Sequence, residues 1–268
     1  MVTPRLVAKI EAEEPTLRFA VLIDADNAQA SIIENLLAEI ATFGEATVRR
    51  IYGDFTAPTS ASWKKVLQRF AIKPVQQFAY TTGKNATDST LIIDAMDLLY
   101  TRKFDGFCLI TSDSDFTGLA MRLREEGLTV LGFGEQKTPE SFRNACHKFV
   151  PTEVLRPSKT NELIDQSLHV EHENKSIPLK EQVEPAASTQ EFPKNFLLKA
   201  LEQSTDDIGW AHLGTFGSFL TKLQPDFDSR SYGYKKLSDL VKAKTDLFLT
   251  EERHVPGSNQ KNLYIRAK

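Results

Sequence analysis

Residues 19–43 read FAVLIDADNAQASIIENLLAEIATF, and the fold turns on this stretch. It opens with an unbroken apolar run and ends that run in Asp24, Ala25, Asp26 and Asn27. A short apolar run bounded by polar residues is the pattern of a strand buried on both faces. From Ile32 the spacing changes. Ile32, Ile33, Leu36, Leu37 and Ile40 recur at helical intervals until Gly44 stops them.

The alternation continues to the middle of the chain. ATVRRIYGDF (46–55), KPVQQFAY (73–80), GFCLITSD (106–113) and LTVLGFG (128–134) read as four further strands. Between and after them, SASWKKVLQRF (60–70), NATDSTLIIDAMDLLYTR (85–102), SDFTGLAMRLREEG (114–127) and PESFRNACHKF (139–149) read as helices, the last with Pro139 at its first turn. Strands alternating with helices predict crossover connections and a Rossmann-like parallel sheet covered on both faces. We expect this α/β domain to occupy residues 17–155, after an N-terminal extension over 1–16. Ligands of such sheets bind beyond the carboxyl ends of the strands, where strands 1 and 4 lie side by side.

The chain then changes character. Residues 156–191 are polar, acidic and nearly free of aromatics, the composition of a flexible linker. A second unit is expected over 192–268. The formal charge of -3 argues against coating nucleic acid by bulk positive charge. Sorted by segment, however, the linker alone carries that excess of acid, and the tail is slightly basic. The ordinary globular composition, 41% hydrophobic and 26% charged, excludes collagen-like and wholly disordered chains. Cys108 and Cys146 are too few for a disulfide framework and read as core residues, so a reducing cytoplasm is the expected location. The start, MVTPRLVAKIEAEEP, lacks the apolar region of a signal peptide. No run approaches the roughly 18 apolar residues of a membrane span, so no membrane partner is expected.

The acids fall where the fold binds ligands. Asp24 and Asp26 end strand 1, Asp113 and Asp115 follow strand 4, and Asp88 opens the helix after strand 3. Carboxylates gathered this closely raise one another's pKa unless a positive charge compensates. A hard divalent cation, Mg2+ or Mn2+, supplies that charge and suits phosphoryl chemistry. Asp94 and Asp97, further along the helix, read instead as a packing or solvated pair.

Three ordered segments, IDADN (23–27), GKNATDSTLIIDAMDLL (83–99) and ITSDSDFTGLAMRLREEG (110–127), resemble the NYN domain family, a branch of the PIN-like nucleases. The resemblance implies metal-binding carboxylates at Asp24, Asp88 and Asp113, a supporting Asp115, and an Asn27 that orients the site through its amide. Thr111 stands where relatives often carry Ser or Gly, a departure expected not to touch the acids. Lys84, Ser112 and Arg50 are candidate substrate contacts around the site. Arg49, Lys64 and Lys65 could extend a phosphate path. Tyr52, Phe55 and Trp63 read as core or rim before base-stacking platforms.

In the tail, PKNFLLKALEQS (193–204), GWAHLGTFGSFLTKLQPDF (209–227) and SYGYKKLSDLVKAKTDLFLTEE (231–252) give three helices running into a strand, with NLYIRAK (262–268) as a closing strand. This is a small α+β winged helix-turn-helix. The segment from Gly209 to Ala243 resembles the OST-HTH (LOTUS) domain, a module similar to RNA-binding or protein-docking domains. Lys235, Lys236, Lys242 and Lys244 are its candidate phosphate contacts. His169 and His172 lie in the linker without further ligands and are not read as a metal site.

The expected function is a metal-dependent endoribonuclease acting on single-stranded RNA, its tail capturing RNA or a protein partner. Oligomeric state is open, a homodimer among the options. One alternative is a catalytically weak RNA-binding scaffold. Another is a haloacid-dehalogenase-type phosphatase, suggested by Asp24-x-Asp26. That motif continues to Thr two residues on, where this chain has Ala28.

Overall fold

The computed structural model describes residues 16–56, 61–78, 86–156, 192–206, 208–254 and 261–268. Residues 1–15, 157–191 and Lys84 lie outside the described residues, and with them almost all of the expected N-terminal extension and linker, including His169 and His172.

Strand β1 (Arg18–Asp24) is buried at every position after the first. A 3-10 turn and helix α1 (Ile33–Ala41) follow, then β2 (Glu45–Gly53), α2 (Ala61–Arg69), β3 (Lys73–Gln76), α3 (Ala86–Tyr100) and β4 (Gly106–Ile110). After a second 3-10 turn come α4 (Thr117–Glu125), β5 (Thr129–Gly134), α5 (Glu140–Ala145) and β6 (Lys148–Pro151). Among the described residues these six strands form one parallel sheet in the order β3-β2-β1-β4-β5-β6. Strands are added on one side of β1 as far as β3 and on the other side from β4 onward, and β1 and β4 pair in parallel from Phe19 with Gly106 to Ile23 with Ile110. That pair is the topological switch point expected from the sequence.

Alternation along β1 builds two cores. Phe19, Val21 and Ile23 pack with α1, α2 and residues of the segment after β6. Ala20 and Leu22 face the opposite layer with Leu91 and Ala95 of α3, Leu119 and Leu123 of α4, and Phe142 of α5. Cys108 and Cys146 are buried and free, as expected of core residues.

The sheet has one strand more than the sequence predicts. The segment 139–149 is not a single helix: α5 stops at Ala145, and Cys146 is already extended at φ -87, ψ 156. Pro139 is the N-cap residue, just before the first helical turn. Lys148–Pro151 then pairs with β5. Four residues are too few to show alternation, so tertiary pairing, not local pattern, makes this strand.

The tail unit comprises α6 (Lys194–Glu202), β7 (Ala211–His212), α7 (Leu213–Leu223), α8 (Leu237–Ala243), β8 (Phe248–His254) and β9 (Lys261–Ala267). Its antiparallel sheet has the order β7-β9-β8, and its own core centres on Leu197, Phe216, Leu240, Phe248 and Ile265. The short β7 was not read from the sequence; the three helices and closing hairpin were.

The two units touch along the β6 edge. The Phe149 N–H donates to the Pro225 carbonyl at 2.9 Å, which satisfies an otherwise open edge. Arg143 of α5 forms an ion pair with Asp226. Arg230 reaches Glu39 of α1 through two N–H groups, at 2.7 and 2.8 Å. The Lys148 ammonium lies 3.5 Å from the Phe227 carbonyl, and burial lowers its pKa.

Candidate metal centre

Asp24 ends β1 with its side chain fully buried. One carboxylate oxygen accepts from the Asn27 amide at 2.7 Å and from the Thr111 hydroxyl at 2.9 Å, and the other accepts the Asp26 N–H at 3.0 Å. Burial still raises its pKa, against these hydrogen bonds. The Asn27 amide thus lies directly on the Asp24 carboxylate. A buried carboxylate with both oxygens engaged is poorly placed for the nucleophilic attack a phosphatase reading needs.

Thr111 corrects an expectation. Far from standing clear of the acids, its hydroxyl donates to Asp24 and accepts the Asp113 N–H at 3.1 Å. One hydroxyl thus links the two strand ends of the switch point. The signal was present in the sequence only as a hydroxyl residue one step past an apolar strand, and nothing local tells which way it points.

Asp113 caps the 3-10 turn over Ser114–Phe116, accepting the Asp115 N–H at 2.9 Å. This capping lays the two carboxylates beside each other, and Asp88 approaches them from the first turn of α3. Asp88, Asp113 and Asp115 each bring a carboxylate oxygen within 4.8 Å of the others. Desolvation, then the charges of Asp24, Asp113, Asp115 and Asp26, push the Asp88 pKa up to about 6. The tightest group is therefore Asp88, Asp113 and Asp115. Asp24 stands behind it, close enough to act as the foremost charged neighbour of Asp88.

Three hard oxygen donors this close together fit a divalent cation, which takes carboxylate oxygens and tolerates waters in its remaining positions. Ser112 ties the neighbouring loop: its hydroxyl accepts the Glu135 N–H at 2.9 Å.

The other candidates divide between structural contacts and exposed positions. Arg50 forms an ion pair with Asp94 of α3, and the Tyr52 hydroxyl donates to the same carboxylate. The partner lies 44 residues away, beyond the reach of pattern reading. Arg49 donates to the carbonyls of Ala46 and Phe70, at 3.2 and 3.0 Å, and so braces the chain. Tyr52 and Trp63 are core residues and Phe55 packs against the core. Lys64, Lys65, Lys235 and Lys236 are exposed. Lys242 pairs with Glu252 at 3.0 Å, and Lys244 sits 4.5 Å from the Phe192 ring centre.

A parallel sheet carrying clustered carboxylates at its switch point defines a nuclease-like α/β domain. The family model of the NYN domain matches residues 18–155, and the chain belongs to this family within the PIN-like nuclease superfamily. The OST-HTH/LOTUS domain model matches residues 188–259. A solution structure of an uncharacterised protein from Nitrosomonas europaea is 64% identical over 36% of this chain and 92% of its own, with a TM-score of 0.31. A crystal structure of a Vibrio parahaemolyticus protein of unknown function is 18% identical over 51% of this chain and 93% of its own, with a TM-score of 0.43. A solution structure from Chromobacterium violaceum is 32% identical over 29% of this chain and 82% of its own, with a TM-score of 0.24. No curated protein matches the chain. Among the described residues, no helix is long and apolar enough to cross a membrane.

Proposed function

We propose that the chain is a divalent-metal-dependent endoribonuclease acting on single-stranded RNA, with its OST-HTH/LOTUS unit contributing RNA contacts. The observation that carries this reading is the convergence of Asp88, Asp113 and Asp115 within 4.8 Å, with the Asp88 pKa raised to about 6 by burial and by its acidic neighbours. These three carboxylates would hold Mg2+ or Mn2+. Such an ion, when bound, supplies Lewis-acid polarisation of a phosphoryl oxygen and stabilises charge developing on the leaving oxygen.

The remaining roles belong to the chain itself. Asn27 and Thr111 fix the Asp24 carboxylate, which holds negative potential behind the cluster. Thr111 holds the Asp113 backbone N–H, and the Asp115 N–H fixes the direction of the Asp113 side chain. Lys84 is proposed to contact phosphate, a contact that positions the strand without reading its sequence. A cytoplasmic location agrees with the two free, buried cysteines.

The test is incubation of the purified full chain with 5′-labelled single-stranded RNA, with and without Mn2+, beside Asp113→Asn. Internal cleavage that requires the ion and falls by at least about a hundredfold in the variant is expected, the scale on which charge-stabilising groups act. Equal cleavage by the variant, or by the wild type in chelator, would overturn the proposal.

A further inference from the structure

The tail sheet has one face in the domain core and one outside it. Ile265 and Phe248 point inward and are buried. Side chains alternate along a strand, so Tyr264 points outward, and register sets His212 and Glu251 on either side of it. Arg253 and Arg266, each two residues from this row, share its face.

This outer face is built around one guanidinium. The Arg253 group lies 4.4 Å from the centre of the Tyr264 ring and 5.0 Å from that of Trp210. Glu251 accepts two of its N–H groups, at 3.1 and 3.2 Å, and so fixes its plane. His212 meets Tyr264 edge-on at 5.5 Å. Trp210 is presented by a tight turn: the Asp206 carboxylate accepts the Ile208 and Trp210 N–H groups at 3.1 and 2.8 Å, and Gly209 has φ +79. Arg266 runs alongside, close to Gly209. Among the described residues, the hydrogen bonds and ion pairs that join the two units run through residues 225–230, away from this face.

We propose that this face, Trp210, Arg253, Tyr264 and His212 with Arg266 beside them, is the surface on which the tail binds single-stranded RNA, by stacking bases on its rings and guanidinium plane. The inference rests on the RNA reading above and moves its binding surface from the lysines of α8 to the sheet. Two features select RNA over a protein partner. Among the described residues, its rings and arginines are joined by only two exposed large aliphatic residues, Leu249 on the sheet and Ile208 in the turn before Trp210, so it offers little of the apolar core that protein interfaces bury. Its two arginines are matched by Glu251 and Asp206, so bulk charge does not select the ligand, but flat cationic and aromatic groups accept any base through its π-face.

The chain provides its own reporter. It has two tryptophans, and Trp63 is buried in the α/β core, so a Trp63→Phe chain reports on Trp210 alone. The experiment titrates this full chain, in chelator to keep the substrate intact, with oligouridine of about 12 nucleotides, and measures tryptophan fluorescence alongside anisotropy of a labelled copy. Saturable quenching is expected. Arg253→Ala and Tyr264→Ala should each weaken binding roughly tenfold. Tyr264→Phe, which keeps the ring, should bind as the parent does, and this separates stacking from misfolding. RNA that binds without quenching Trp210, or with equal affinity in the Ala variants, would overturn the sheet face while leaving RNA binding intact. Failure of the parent chain to bind oligouridine even at low salt would overturn the RNA reading of the tail and this surface with it; cleavage by the acidic centre is measured separately.

Discussion

At the scale of single residues, the electrostatic cost of the acidic centre is concentrated on Asp88. Its pKa is raised from 3.8 to about 6, so the native chain holds this proton more tightly than the unfolded chain does. Between those two values the folded state binds more protons, and stability must fall as pH rises across the window. Without metal, the wild type should therefore lose melting temperature between pH 4 and pH 6 relative to Asp88→Asn, which carries no such proton. At pH 7 the variant should melt higher than the wild type in chelator. Adding Mn2+ should reverse that order, because binding stabilises by mass action only where the carboxylate is ionised and present. Thermal melts of both proteins across pH, with and without Mn2+, check the sign. A variant that melts below the wild type at pH 7 in chelator would contradict it. The acids themselves were legible in the sequence, since Asp24, Asp88, Asp113 and Asp115 stand at element ends where a parallel sheet gathers ligands. Thr111 was not, because a hydroxyl's direction is set by the strand beside it.

At the scale of elements, α3 matters because its first turn carries Asp88, and one carboxylate further along clamps it to β2. Asp94 accepts from both Arg50 and Tyr52, which lie on β2 beside β1. Burial and the hydrogen bond to Asp94 raise the Tyr52 pKa, so this hydroxyl stays a donor across the whole working range. Replacing Asp94 by Ala leaves a buried phenol and a largely buried guanidinium without their acceptor. The expected loss is about 1.5–3 kcal/mol in chemical denaturation, the range for hydrogen bonds to charged groups. Asp94→Asn should lose less, because its carbonyl oxygen still accepts one of the two donors. Cleavage should fall in both, through displacement of Asp88 rather than through loss of a metal ligand, so excess Mn2+ should restore part of it. The clamp also shows where sequence reading ends. Periodicity placed α3 and β2 correctly, but it could not show that Arg50 pairs with Asp94, because an ion pair between distant elements leaves no local trace. The sixth strand was missed for a related reason. Nothing in FRNACHKFV breaks a helix, and only the neighbouring β5 backbone converts its end into a strand.

At the scale of the whole molecule, the composition shift after Leu155 announced two units but suggested only a tether between them. Their contact depends on pairs that no local pattern contains, above all Arg230 with Glu39, 191 residues apart. Arg230 also holds Asp228 at 2.7 Å, so one guanidinium neutralises two carboxylates, one from each unit. Those hydrogen bonds, Asp228 first and then Glu39, hold the Arg230 pKa above its ordinary value despite burial. Removing the arginine leaves both acids facing each other, whereas removing Glu39 leaves the Arg230–Asp228 pair intact. Arg230→Ala should therefore destabilise more than Glu39→Ala, and the double variant should lose less than the two losses summed. The coupling expected for contacting charged residues is about 0.5–3 kcal/mol. Because the pair joins two units, the same variants should change how the chain melts. The wild type should unfold in one transition, and Arg230→Ala combined with Arg143→Ala, which also breaks the pair with Asp226, should separate the melting of the α/β domain from that of the tail. Calorimetry on the four chains of the cycle and on this second double variant checks both expectations. Additive losses, with the same single transition in every chain, would mean that these ion pairs do not hold the units together.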